Sequence, residues 1–297
     1  MSKKGRSRVQ EISFSGRVFT GLGEGAAFTT LDWARAQFRS LLGIDPYPGT
    51  LNLLLERPAD RRAWARLRAK PGKLVAAPDP TWCNARCYPV RIGDRFPGAI
   101  VLPLLPGYPQ TQVEVIAALP LRERLGAHDG DRISLAASRP LAVAAAIFDA
   151  DGTLVDGRGK HQLLPGVREA VEQLRERGIL LGIATELARE ALEPLHAADL
   201  MGSFSAVVTA AKASPAGSES GNLSACAATL GVRLEQAASV TAAPMRVLIS
   251  RAAGMPTVAI LRRMGDSARL AAEGPDWVVS SIARLPEILG GGEAETL

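Results

Sequence analysis

Cysteine is scarce: Cys83, Cys87 and Cys226 are the only three in 297 residues. An odd count argues against a disulfide framework, and a C-x3-C pair with no histidine nearby does not make a zinc site. Histidine is equally sparse. His128, His161 and His196 are scattered along the chain, which excludes a histidine-rich metal centre. Aromatic residues make up only 5%, too few to supply stacking platforms for single-stranded nucleic acid. No apolar run approaches the roughly 20 residues that a membrane helix needs. The basic start MSKKGRSR runs into VQEISFSGR rather than an apolar signal region. The expectation is a soluble, cytoplasmic chain that binds neither membrane nor nucleic acid.

What is present is charge, glycine and alternating apolar runs. The net charge of +5 and pI near 9.4 suit nucleic acid, acidic membranes or phosphorylated small molecules. Beyond KKGRSR no dense basic stripe follows, so the excess reads first as an arginine-rich solvated surface. The length suggests about two domains, and a 47% hydrophobic fraction is ample for their cores. Up to about residue 135, short strands such as EISFSGRVF, GTLNLLL, CYPVRI, GAIVLPLL, QVEVIAAL and DRISL are broken by Gly and Pro turns. Only TTLDWARAQFRSLLG and ADRRAWARLRA look helical, the first capped by Thr30 or Asp32 and stopped by Gly43. This pattern predicts a small β-barrel over 10–136. After SRPLAVAAAIF, apolar strands alternate with helical stretches, which predicts a parallel α/β domain over 142–290.

Three features of the first half carry candidate chemistry. GRVFTGLGEGAAF places Gly21, Gly23 and Gly25 in a strand-to-turn stretch, where missing Cβ atoms would let backbone amides approach phosphate oxygens. Alone it also reads as a simple glycine hairpin. It is neither a Walker loop nor a dinucleotide fingerprint. In PYPGTLN, Thr50 and Asn52 leave a Pro-Gly turn along a strand. Residues i and i+2 share a face, so a hydroxyl and an amide oxygen could jointly hold Mg2+; they could equally satisfy the turn. Glu114 interrupts an otherwise apolar strand, so it must find donors in a ligand or a loop.

In this order, GxGxG, PYPGTLN, EVIA followed by LRER, and a terminal DGD resemble the archaeal-type CTP-dependent riboflavin kinases. The resemblance spans about Ile12 to Leu135. It implies a Greek-key, cradle-loop type of barrel that transfers phosphate from CTP to riboflavin, giving FMN and CDP, with Mg2+ or Mn2+. It further implies that Gly21, Leu22, Gly23, Glu24, Gly25 and Ala26 cradle the nucleotide. Leu119, Pro120, Leu121 and Arg122 wall its cytidine side, Thr50 and Asn52 hold the metal, and Glu114 contacts the flavin. Ala26, Pro106 and Pro120 stand where that family usually carries a basic residue, a threonine and a lysine.

The second half opens on IFDADGTLVD, two acids at a strand end followed by Gly-Thr. This resembles the haloacid dehalogenase (HAD) superfamily and implies a Rossmann-like domain, with no room for a cap between Asp151 and Thr185. By that resemblance Asp149 is the nucleophile, Asp151 the acid, and Thr185 and Lys212 the phosphate contacts. The superfamily's second acid pair falls on Ala242 and Arg246. Without it the domain reads as inactive or regulatory. Asp266, in a second GDS after the next strand PTVAI, could approach a metal there from the neighbouring loop. The alternatives are a phosphatase acting on a flavin-pathway phosphate, with the first half binding flavin or nucleotide, and a sensor that turns nothing over.

Overall fold

The computed structural model describes residues 12–21, 24–156, 162–209 and 219–290. The first half contains β1 (Ser13–Phe19), α1 (Glu24–Thr30), α2 (Asp32–Leu42), β2 (Leu51–Leu54), α3 (Pro58–Arg68) and β3 (Lys73–Val75). It continues with β4 (Ala85–Ile92), β5 (Phe96–Pro103), β6 (Gln112–Ile116), α4 (Leu121–Leu125) and β7 (Arg132–Ala137). All its strand pairs are antiparallel, in the order β3-β4-β5-β6-β2-β1-β7. Strand β4 also pairs β7, with Arg91 opposite Ala136. That contact closes six strands into a barrel and leaves β3 attached outside β4. Closure removes the open edges that would otherwise template aggregation.

Alternation places Phe14 and Val18, Leu51 and Leu53, and Val113 and Val115 in the barrel core. Helix α3 covers one end with Ala63, Trp64 and Leu67. Helix α2 buries Ala34, Phe38 and Leu42, spaced four residues apart on one face. It stops at Gly43, whose φ of 69° is the left-handed conformation that glycine adopts without strain. The start differs from expectation. The N-cap is Leu31, without a side-chain bond, and Asp32 lies in the first turn. A second difference is α1. The glycine stretch does not continue as a hairpin but turns into a helix at Glu24, held by Thr29 and Thr30 hydroxyls donating to carbonyls one turn back.

The second half contains β8 (Ala145–Phe148), α5 (Val167–Glu176), β9 (Leu180–Ala184), α6 (Glu193–Ala197), β10 (Ala206–Val208), α7 (Glu219–Thr229) and β11 (Ala237–Thr241). Then follow α8 (Pro244–Ala252), β12 (Thr257–Ile260), α9 (Ser267–Ala272), β13 (Trp277–Val279) and α10 (Leu285–Ile288). The strands are parallel, in the order β10-β9-β8-β11-β12-β13. Every residue of β8, β11 and β12 is buried, as a sheet covered on both faces requires. The strand order reverses between β8 and β11, the switch point whose carboxyl-end crevice is the usual ligand position in such sheets. Among the described residues, α5 is the only helix between β8 and β9.

The two halves are packed tightly. Arg91 on β4 pairs with Asp276, whose other oxygen accepts from the Thr257 amide at 2.8 Å. Ala271 of α9 lies within the barrel's own hydrophobic cluster. A Cβ built on Gly43 would stand 2.3 Å from the Val278 carbonyl oxygen, so the second domain sits flush on the end of α2.

Candidate functional site

Strand register assembles the barrel site. Asn52 lies opposite Phe19 on β1 and opposite Glu114 on β6. The Pro48–Gly49 turn sets Thr50 just before β2, and Thr50 Oγ1 donates to Asn52 Oδ1 at 3.0 Å. The glycines close over this pair. A Cβ on Gly21 would lie 2.3 Å from Asn52 Nδ2, and one on Gly25 would lie 2.5 Å from Thr50 Oγ1. Only glycine lets the backbone approach so closely. Thr29, which the sequence reading missed, ties the parts together. Its hydroxyl donates to Gly25 O at 2.9 Å and accepts from the Gly49 amide at 2.8 Å.

Two connected cavities result. One, of about 390 Å³, is lined by Gly21, Gly25, Ala26, Thr50, Asn52, Glu114 and Arg122. The other, of about 330 Å³, is lined by Tyr47, Pro48, Leu119, Pro120, Leu121 and again Thr50 and Arg122. The first is the more polar end and the second runs along α4. Leu22 and Gly23 lie outside the described residues. Glu24 opens α1, and Ala26 follows in its first turn.

Glu114 is half-buried rather than enclosed. Tyr108 donates its hydroxyl to Glu114 Oε1 at 2.6 Å. Burial, and then that bond, push the Tyr108 hydroxyl's pKa far up, so it stays a donor. Arg122 is not free to swing onto a ligand. It donates to Asp129 at 2.7 Å and to the Phe19 carbonyl at 2.8 Å. Asp129 also receives the Thr20 amide and hydroxyl, at 3.1 and 2.8 Å. Its carboxyl is held below the usual range, first by the Arg122 bond and then by Thr20. The DGD turn therefore latches the end of β1 to α4. Nothing local in the sequence announces Thr29 or Tyr108, because each acts on a partner brought to it by a loop, and the DGD motif marks Asp129 without revealing its partners Arg122 and Thr20.

Oxygens bound to Mg2+ at 2.0–2.1 Å in an octahedron are separated by about 2.9 Å along an edge. The Thr50–Asn52 spacing of 3.0 Å fits that edge, and both atoms are neutral oxygens of the kind Mg2+ accepts beside phosphates and water. The residues present therefore fit the metal.

The other strand-end site is built differently. Asp149 follows β8 and accepts from Thr241 Oγ1 at 3.2 Å across the switch point. Burial raises its pKa, and the Arg246 charge works against that shift. Arg246 is 2% exposed and donates to the Ala184 carbonyl at 2.5 Å. A guanidinium thus stands where a metal carboxylate was looked for. Asp151 is exposed. Thr185 is buried, its hydroxyl accepting from the Leu187 amide at 3.2 Å. Lys212 lies outside the described residues. Ser267 of the second GDS is used elsewhere, accepting from the Asp45 amide at 3.2 Å. Among the described residues no three acidic, histidine or cysteine side chains gather into a metal site.

Fold and site together define a two-domain protein: a closed antiparallel barrel with a glycine-lined polar cavity, joined to a doubly wound α/β domain. The CTP-dependent riboflavin kinase domain model, described as Domain of unknown function DUF120, matches residues 18–136. A riboflavin kinase of Methanocella arvoryzae is 42% identical over 125 residues, 40% of this chain and 54% of that protein. One of Saccharolobus solfataricus is 31% identical over 130 residues, 43% of this chain and 74% of that protein. Through its barrel, the chain belongs to the CTP-dependent riboflavin kinase family. It spans just over half the length of several of these relatives, 54% for those of M. arvoryzae and Archaeoglobus fulgidus. Among solved structures, a haloacid dehalogenase-like hydrolase of Streptococcus pneumoniae aligns at TM-score 0.43 and 16% identity over 49% of this chain and 97% of its own. A HAD phosphatase of Thermococcus onnurineus aligns at TM-score 0.42 and 18% identity over 49% and 97%.

Proposed function

We propose that the barrel transfers the terminal phosphate of CTP to the ribityl hydroxyl of riboflavin, giving FMN and CDP, and that the second domain has no phosphatase activity of its own. One observation carries the reading. Thr50 and Asn52 present two oxygens 3.0 Å apart, with the backbone of Gly21 and Gly25 against them and Glu114 in the same cavity. Phosphoryl transfer asks little covalent help of a protein and much positioning and charge stabilisation. A divalent cation held by Thr50 and Asn52 supplies positive charge against the donor's phosphates.

The chain's own residues do the rest. The backbone at Gly21 and Gly25 lets the triphosphate approach without a Cβ in the way. Leu119, Pro120 and Leu121 form an apolar wall for the cytosine ring. Arg122, fixed by Asp129 and Phe19, holds that wall against the end of β1. Glu114, oriented by Tyr108, accepts a hydrogen bond from the flavin. The ribityl hydroxyl oxygen attacks phosphorus and loses its proton to water, the bond to the bridging oxygen breaks, and CDP leaves with that electron pair.

Activity of the full chain with riboflavin and Mg2+ tests this. FMN should form with CTP and not with ATP. Thr50→Ala with Asn52→Ala should abolish turnover while the fold persists, and Asp149→Asn should leave it unchanged. FMN formation that survives the first variant and is lost in the second would transfer the chemistry to the other domain and end the proposal.

A further inference from the structure

A cleft of about 500 Å³ opens where the domains meet, between the Leu119–Arg124 segment and helices α8 and α9. That is a small-molecule volume. It lies beyond the two cavities of the barrel and shares Leu119 with one of them as a wall. Two features distinguish it from an ordinary seam. Met245 and Leu248, one turn apart on α8, both line it and are 60% and 47% exposed. Folding alone has not covered this apolar pair, and its place in a concave site leaves it available to a ligand. Arg124 from the barrel and Arg269 from α9 reach the same cleft. Both are exposed, and among the described residues neither has an ion-pair partner. Glu273 is the only carboxylate in the lining.

The cleft is also fixed. Ser267, Leu270 and Ala271 bury one face of α9, and Ala268, Arg269 and Ala272 on its other side line the opening. The Arg91–Asp276 pair and the Asp45–Ser267 bond hold the domains on either side. A preformed site with apolar walls and two unpaired guanidinium groups suits a ligand that joins a flat apolar body to a phosphate. Met sulfur and methyl groups pack on aromatic rings, and guanidinium forks match phosphate oxygens.

We propose that this cleft is a second binding site, for an aromatic small molecule carrying a phosphate, and that its occupant is the phosphorylated flavin. The proposal rests on the reaction assigned to the barrel, which makes that molecule in the neighbouring barrel cavities, one of which shares the Leu119 wall with the cleft. An occupant packs on the outer side of the Leu119–Arg124 segment, whose inner side lines the proposed nucleotide cavity. Product bound there therefore acts back on the donor site.

Direct titration of the full chain tests the idea, following FMN fluorescence with no turnover involved. Four proteins are compared: wild type, Thr50→Ala with Asn52→Ala, Arg124→Ala with Arg269→Ala, and Met245→Asp. A class of FMN sites should persist in the barrel variant and weaken at least tenfold in both cleft variants. Riboflavin should bind this class at least tenfold more weakly than FMN. The cleft variants should keep the initial rate of FMN formation within twofold of wild type when no FMN is added. FMN binding that disappears in the barrel variant and is untouched in both cleft variants overturns the proposal. If inorganic phosphate binds as tightly as FMN, the aromatic half of the assignment is wrong. If CDP binds this class more tightly than FMN, the occupant is the nucleotide and the flavin assignment falls. A failed kinase reading shows separately, as no FMN made from CTP and riboflavin while the titrations stand.

Discussion

Replacing Gly25 by alanine should cripple turnover and leave the fold nearly untouched. The new Cβ would stand 2.5 Å from Thr50 Oγ1, 2.9 Å from Cγ2 and 3.2 Å from Cβ. Carbon contacts relax only near 3.5–4.0 Å, so the Thr50 side chain has to give by roughly 1 Å. It is a side chain that gives, not backbone, and the fold can absorb the movement. Alanine in place of glycine inside a helix contributes about 0.5–1 kcal/mol, and Gly25 lies in α1. Loss of the Thr50–Asn52 hydrogen bond costs about 1 kcal/mol. The two nearly cancel, so the melting temperature should move by only a few degrees. A reacting group displaced by about 1 Å can cost about 100-fold in rate, or roughly 2.7 kcal/mol in the barrier. The assay is initial FMN formation at saturating CTP, riboflavin and Mg2+, beside a thermal melt. Activity within threefold of wild type, with the melt unchanged, would show that the contact between the glycine stretch and Thr50 is irrelevant to catalysis. Activity lost together with the fold would show that the stability estimate was wrong.

Three further outcomes follow from contacts elsewhere. Tyr108→Phe removes the 2.6 Å bond to Glu114 and should raise the KM for riboflavin several-fold with kcat within twofold; an unchanged KM would detach Glu114 from the flavin. Arg246→Met takes away the charge that opposes the burial shift of Asp149, so its carboxyl pKa should rise further. A carboxyl whose folded pKa is raised costs stability above that pKa and less as pH falls through it. Urea denaturation should therefore find the variant weaker by about 3 kcal/mol at pH 8, and by clearly less at pH 5; a pH-independent loss would mean the two groups do not interact. Asp276→Ala breaks the pair with Arg91 and the bond from the Thr257 amide. It should cost about 2–3 kcal/mol, and calorimetry should show whether one unfolding transition splits into two, as a seam held by this contact requires.

Much of the architecture could be read from residue patterns, and its failures have physical causes. Short-range signals worked: strand alternation exposed the barrel strands, and Gly43 stopped α2 because only a left-handed residue fits there. Helix α1 was missed because GLGEGAAFTT has too much glycine for helix propensity to show. Its hydroxyl-to-carbonyl bonds appear only once the helix exists. Strand β3 is three residues among Pro and Gly and has no period to detect. Closure of the barrel through β4 and β7 joins segments far apart in sequence, which no local pattern encodes. At the site, Thr50 and Asn52 were visible because both leave one turn along one strand. Thr29 and Tyr108 were not, since each works across a loop, and the DGD flagged Asp129 but not its partners. Glu114 was expected to need a donor from a ligand or a loop, and it is half-buried and takes the Tyr108 hydroxyl from a loop. Arg246 was read as out of place; its burial and its bond to the Ala184 carbonyl depend on packing alone.

The Asp45–Ser267 bond reaches further than its single hydrogen suggests. Asp45 also gathers Arg35 and Arg39 of α2 through one carboxylate oxygen, at 2.9 and 2.8 Å. Two residues on, the Tyr47 amide joins the Ala117 carbonyl at 2.8 Å, and the chain then turns into Thr50. The downstream domain therefore grips the root of the segment that delivers Thr50. A chain shortened to its first 139 residues would keep every residue of the barrel and lose that anchorage, together with the cover over Gly43. The trailing half thus braces, through Ser267 and Asp45, the loop that carries Thr50 in the leading half.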